Sequence, residues 1–162
     1  MALRRILVNG DPTLRKVSRP ITDFGARTWQ LLDDMKETLI DANGLGLAAP
    51  QVGMLRRAVI IVNNDGEMIE LLNPEILDQS DEKVGAYEGC LSVPGERGWL
   101  ERSVRVTVKA QDRYGNWFEK ELEDMAARAA CHETDHLNGT LFIDLVDELL
   151  TDEQVEELLS EE

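Results

Sequence analysis

"CHETDHLNG", residues 131 to 139, holds both histidines of the chain, four positions apart, with an acid directly after the first. On a helix each residue turns by about 100°, so His136 lies one turn along from His132 and only about 40° around it. Both imidazoles therefore enter the same space. Glu133 sits on the shoulder of that face, where its carboxylate reaches a water beside a cation rather than the cation itself. Residues 124 to 137 carry the pattern of a helix, rich in the small apolar side chains of Met125, Ala126, Ala127, Ala129 and Ala130, with Asn138-Gly139 as its stop. Such a helix is at least partly buried, and buried histidines need partners.

Two imidazoles hold a metal poorly alone, which raises the identity of a third ligand. Glu156 lies twenty residues past His136, a spacing compatible with a thermolysin-type endopeptidase, but it belongs to "TDEQVEELLSEE", whose acids are explained by a solvated helix face. Cys90 lies in "YEGCLSVPG", bracketed by Gly89 and Pro94-Gly95. A thiolate with two imidazoles would leave a fourth tetrahedral position open for water, the arrangement of a catalytic rather than a structural site. Spacing alone leaves Cys90 as either that ligand or a packed cysteine.

The bulk composition narrows the setting. A chain of 162 residues reads as one domain, 1–162, large enough to fold without a metal to hold it together. Its 32 acids against 17 Lys plus Arg give a formal charge of -15, which argues against sequence-specific or non-specific nucleic-acid binding. "MALRRILVNGDP" lacks the apolar core of a signal peptide, and no run approaches the length of a membrane span, so the expectation is a cytoplasmic, monomeric protein. With only Cys90 and Cys131, a disulfide framework is not expected.

Outward from the histidine helix, residues 1 to 22 read as an irregular wrap with Pro12 and Pro20. Leu32, Met35 and Leu39 recur at helical spacing between Phe24 and Ala42, and Asn43-Gly44 ends that helix. "GLGLAAPQVG" (44 to 53) reads as a glycine-punctuated loop. "AVIIV" (58 to 62) and "EMIELL" (67 to 72) flank the turn "NNDG", with an extended stretch beyond Asn73-Pro74 toward Leu77. "SVRVTVKAQ" (103 to 111) and "WFEKEL" (117 to 122) alternate around "DRYGN" as a second hairpin. After "LFIDLV", Thr151 and Gln154 form a capping box for a terminal helix. Strands gather in the middle with helices toward both ends, which predicts an α+β fold: mixed, mainly antiparallel sheets packed around the central HExxH helix, with an N-terminal and a C-terminal helix.

Three segments together, "GLGLAAPQ" (44 to 51), "EGCLS" (88 to 92) and "HETDH" (132 to 136), resemble the signature motifs of the peptide deformylases, in that family's order. The resemblance implies that Cys90, His132 and His136 ligate one divalent metal, with Fe²⁺ the working ion and Ni²⁺, Co²⁺ or Zn²⁺ as alternatives. It implies that Glu133 serves as general base and acid, and that Gln51 and the backbone N–H of Leu91 hold the formyl oxygen. The substrates implied are N-formylmethionyl peptides of nascent chains, met transiently at the ribosome, with formate released. Gly46, together with Gly44, is expected to let backbone run close beside the substrate. Gly89 is expected to flank the same substrate, and Leu45, Met125 and Ala129 to line the pocket for the methionine side chain. Glu88 and Asp135 are candidates to orient an imidazole or to pair with Arg102.

Two positions depart from the family pattern. Cys131 stands where glutamine is frequent and is expected to pack rather than ligate. Arg128, one turn before His132, is expected to lay its stem along the pocket wall and carry its charge out to water. The terminal helix, acidic and without Lys or Arg, makes docking on ribosomal RNA through it doubtful.

Overall fold

A computed structural model describes residues 2–161. The histidine segment forms α2 (Asp124–Leu137), which packs on a five-stranded sheet. That sheet has the order β1 (Gly46–Ala48), β2 (Ala58–Val62), β3 (Met68–Gln79), β6 (Arg105–Gln111), β7 (Trp117–Glu123). A second sheet joins β4 (Lys83–Cys90), β5 (Val93–Ser103) and the short β8 (Leu150–Thr151). Helix α1 (Ala26–Ala42) precedes the sheets and α3 (Asp152–Ser160) follows them. All pairings between these strands are antiparallel, and the parallel component is an isolated bridge between Arg19 and Arg56.

The five-stranded sheet is covered on both faces, which is why "AVIIV" is apolar throughout rather than alternating. Val59 and Ile61 pack with Leu71, Val106, Val108 and the alanines of α2; Ala58 and Ile60 pack with Leu31, Leu32, Met35 and Leu39 of α1. Ala126, Ala127 and Ala130 have no exposed surface, and their small side chains let the α2 backbone approach the sheet closely. Both helix stops have the expected geometry. Asn43 is left-handed at φ 54°, and Gly139 adopts φ 79° where a Cβ would stand 2.6 Å from the Arg15 carbonyl oxygen. Thr151 and Gln154 exchange the two hydrogen bonds of a capping box.

Two elements differ from the sequence expectation. The loop expected at 44 to 53 contains β1, paired with β2 through Gly46–Ile61, Leu47–Ile60 and Ala48–Val59, followed by a 3-10 turn at Ala49–Val52. Residues 83 to 103 form the long hairpin of β4 and β5, with a register shift between Glu88 and Cys90. The N-terminal wrap straps two motif segments from behind: the Leu7 N–H donates to the Gln51 carbonyl and the Asn9 N–H to the Ser92 carbonyl, each at 2.7 Å.

Candidate active site

The three motif segments meet at one end of α2. His132 and His136 project from the helix, Cys90 stands at the end of β4, and Gln51 comes from the turn after β1. The ligand atoms of Cys90, His132 and His136 all lie within 4.8 Å of one another, with Cys90 Sγ 3.3 Å from His136 Nε2. No other group of three or more potential ligands clusters in this way among the described residues. Glu156, the alternative ligand, is exposed on α3 and is not part of the cluster.

His132, Cys90 and Gln51 are held by hydrogen bonds from behind, whereas the buried His136 Nδ1 has no hydrogen-bond partner. The His132 Nδ1–H donates to Glu88 Oε1 at 2.5 Å, which turns Nε2 toward Cys90 and His136. Glu88 Oε1 also accepts from Arg102 Nη2, and Oε2 accepts from Arg102 Nε and Arg128 Nη1, each at 2.8 Å. Burial alone would raise the Glu88 carboxyl, but the Arg102 and His132 hydrogen bonds hold it well below the usual carboxylate range. Arg102 donates in addition to Asp135 at 3.2 Å. The Ser92 N–H points at Cys90 Sγ at 3.4 Å, as does Gln51 Nε2 at 3.6 Å, two donors suited to a thiolate. The Gln51 amide is fixed at its other end by the Ala48 N–H, which donates to Oε1 at 2.9 Å, and Nε2 reaches Ser92 Oγ at 3.0 Å.

Glu133 is buried and its Oε1 accepts no hydrogen bond from the protein, with His136 Nε2 3.9 Å away. Burial pushes its carboxyl up to about 7, in the range of a group that takes and returns protons near neutral pH. Burial, reinforced by neighbouring His132, lowers His136 to about 3, so its imidazole is neutral and able to ligate. Burial opposes a charge on His132, but Glu133, Cys90 and Glu88 together raise its proton affinity well above normal. Two imidazoles and a sulfur, set among carboxylates that favour positive charge, are a donor set that fits a divalent metal.

Gln51, Cys90, His132 and Glu133 open on a cavity of about 440 Å³. Its walls include Leu45, Gly46, Gly89, Leu91, Met125 and Ala129, so the structure brings the expected substrate-contacting residues together with Gln51, Cys90, His132 and Glu133. Leu45 and Met125 are half exposed, at the mouth rather than the floor. For Gly46 the structure adds a different reason from the one expected. A Cβ there would stand 2.5 Å from Glu133 Oε2 and 3.0 Å from Cγ, so the glycine makes room for the Glu133 carboxylate itself. Gly46→Ala should therefore displace that carboxylate and lower kcat by roughly a hundredfold, with metal content unchanged; kinetics paired with elemental analysis checks it. Gly44 in turn makes room for Leu91 and Leu39, whose methyl carbons would lie 2.9 and 3.0 Å from an added Cβ.

Arg128 corrects an expectation. It is 5% exposed and lines the cavity, but its charge does not run out to water. It ends on Glu88 and on the Val84 carbonyl oxygen, each at 2.8 Å. Sequence reasoning could not find this pair, because the two residues are forty positions apart and on different elements. Cys131, on α2 itself, packs against the core, and burial pushes its thiol up to about 11, as befits an inert cysteine. Cys131→Ser is expected to leave metal content at one ion per chain while Cys90→Ser sharply lowers it, a contrast read by elemental analysis of the purified variants.

A sulfur and two helical imidazoles around a buried carboxylate form the kind of site that mononuclear metallohydrolases use. The polypeptide deformylase family model matches residues 3–151. A peptide deformylase of Caldicellulosiruptor bescii is 53% identical over 157 residues, covering 97% of this chain and 93% of that one. One from Thermoanaerobacter pseudethanolicus is 47% identical over 158 residues, covering 98% of each. Among solved structures, the peptide deformylase of Thermotoga maritima superposes with a TM-score of 0.86 at 44% identity, over 90% of this chain and 99% of that one. The class I type b peptide deformylase of Acinetobacter baumannii with Met-Ala-Ser bound gives 0.83 at 35% identity, over 88% and 97%. The chain belongs to the polypeptide deformylase family, and it is an enzyme.

Proposed function

We propose that this enzyme, as a single catalytic domain and a monomer, removes the N-formyl group from the formylmethionine that begins newly made polypeptides, releasing formate. The observation that carries the reading is the convergence of Cys90, His132 and His136 within 4.8 Å, beside the buried Glu133 carboxylate. A divalent metal held by those three residues would act as a Lewis acid and make water a nucleophile near neutral pH.

The chain's own groups supply the rest. Glu133 takes a proton from the attacking water as its oxygen bonds to the formyl carbon, and delivers that proton to the departing amine as the C–N bond breaks. Gln51 Nε2 and the Leu91 N–H take the formyl oxygen as it gains charge. Gln51 suits that task because the Ala48 N–H fixes its Oε1 and so fixes which way its amide donors face. Gly46 and Gly89 flank the substrate backbone, while Leu45, Met125, Ala129 and the stem of Arg128 receive the methionine side chain in a mostly apolar recess. The Met-Ala-Ser held by the Acinetobacter baumannii relative is the product such a reaction would leave from formyl-Met-Ala-Ser.

Among the described residues no helix is long and apolar enough to cross a membrane. Substrates of this kind put the enzyme in the cytoplasm, beside the ribosome. The acidic α3, which has no Lys or Arg, favours transient encounters over docking on RNA through that helix. Intrinsic affinity at nitrogen and sulfur favours Zn²⁺ over Fe²⁺, yet resemblance to the family points to Fe²⁺ as the working ion. Protein loaded anaerobically with Fe²⁺ should turn over formyl-Met-Ala-Ser faster than Zn²⁺-loaded protein, and should lose that advantage in air. Equal rates for the two metals would contradict the assignment.

A further inference from the structure

The three groups that would hold the metal come from two elements: Cys90 ends β4, whereas His132 and His136 lie on α2. Their mutual distance is therefore set by whatever ties that strand to that helix. The β4–β5 ladder does not supply that tie, since it pairs β4 with another strand and its register shifts between the Glu88–Gly98 and Cys90–Val93 pairs. Two guanidinium groups provide the tie. Arg102 belongs to β5 and reaches Glu88 on β4 and Asp135 on α2. Arg128 belongs to α2 itself and grips β4 twice, at the Glu88 carboxylate and at the Val84 backbone carbonyl.

We propose that Arg128 is a positioning residue: by clamping α2 to β4 at Val84 and Glu88, it sets the spacing between Cys90 and His132 and so governs how tightly the site retains its metal. Its Nη1 donates to the Glu88 carboxylate while its Nη2 donates to the Val84 carbonyl, two divergent bonds that the planar fork of a guanidinium makes at once. The same side chain walls the cavity, so the residue that shapes the side-chain recess also fixes Glu88, which holds His132 by Nδ1.

The inference rests on the metal-site reading above, and its test separates the two. The parent, Arg128→Met, Arg128→Lys, Glu88→Gln and the Glu88→Gln/Arg128→Met pair are loaded with Co²⁺ and mixed with a chromophoric chelator, while melting temperatures are taken with and without Co²⁺. Arg128→Met should release Co²⁺ at least about tenfold faster than the parent. The rise in Tm that Co²⁺ gives should shrink, and the Co²⁺–thiolate absorption should shift. Arg128→Lys should fall between the two, and in the Glu88→Gln background Arg128→Met should add less than it does in the parent, since one of its two holds acts through that carboxylate and only the Val84 hold is left to lose. A merely structural Arg128 would lower both melting temperatures equally and leave release unchanged, which would overturn the proposal. If Arg128→Met does not fold, release from Arg128→Lys at the parent's rate overturns it alone. A parent that binds no Co²⁺ would instead overturn the metal site itself.

Discussion

Glu133→Gln should lower kcat on a formylated peptide by roughly 10²- to 10⁴-fold, the range for a group that moves a proton in the transition state, while metal content stays at the parent's level. The amide is nearly isosteric and still fits against Gly46, so geometry is preserved and only proton transfer is lost. The structure gives a second, independent signature. Glu133 is buried with no protein hydrogen bond to Oε1, and its carboxyl is raised from 4.5 to about 7. A carboxyl raised on folding takes up a proton as the chain folds. Its protonated form favours the folded state below the ordinary value of 4.5, and this advantage is lost as pH climbs through about 7. Metal-free Glu133→Gln should therefore match the metal-free parent in stability at low pH and exceed it above neutrality. Denaturant melts across pH check this; a variant less stable than the parent at every pH would show that Glu133 is a structural group rather than a strained functional one.

Glu88→Ala should have the largest effect on stability. The carboxylate accepts four hydrogen bonds, from Arg102 twice, from Arg128 and from His132. Side-chain exposure is 10% for Arg102, 6% for Arg128 and 4% for Glu88, so its removal leaves two buried guanidinium groups short of a counter-charge, Arg102 with Asp135 alone and Arg128 with only the Val84 carbonyl. Breaking a buried pair from one side costs about 3–5 kcal/mol. For a domain of this size that corresponds to a fall in Tm on the order of 6 to 20 °C. Metal affinity should fall as well, by roughly 10- to 100-fold, because His132 loses the acceptor that fixes its ring. Glu88→Gln keeps an acceptor for His132 and should lie between. Calorimetry and metal competition read the two effects separately, and a Glu88→Ala protein with the parent's Tm and affinity would refute the role given to this carboxylate.

How far the sequence foretold the molecule depended on whether a signal was periodic. The helix carrying His132 and His136 was legible because the turn per residue alone puts both rings on one face. The strands 58 to 62, 105 to 111 and 117 to 123 followed from apolar runs and alternation. The hairpin of β4 and β5 was not legible, because its glycines interrupt the alternation that marks a strand. Two of them are packing requirements: a Cβ on Gly85 would lie 2.2 Å from the Trp99 ring, and one on Gly98 would lie 2.7 Å from Val146. Likewise, β1 is a three-residue strand between glycine and proline, stabilised by its pairing with β2 rather than by its own composition. At the site, the joining of Cys90 to His132 and His136 rests on motif resemblance, with periodicity supplying only the two histidines and Glu133. The Arg128–Glu88–Arg102 cluster had no local signal, since its members meet only when β4, β5 and α2 assemble.

The central claim is that this site hydrolyses the amide between a formyl group and an N-terminal methionine. Metal-replete protein, freshly prepared without oxygen, is incubated with formyl-Met-Ala-Ser and, separately, with a longer peptide blocked at both ends. Formate and free Met-Ala-Ser should appear in equal amounts, with no internal cleavage of the blocked peptide, and removal of the metal by a chelator should stop the reaction. Metal-replete protein that released no formate, or that cut the blocked peptide internally instead, would contradict it.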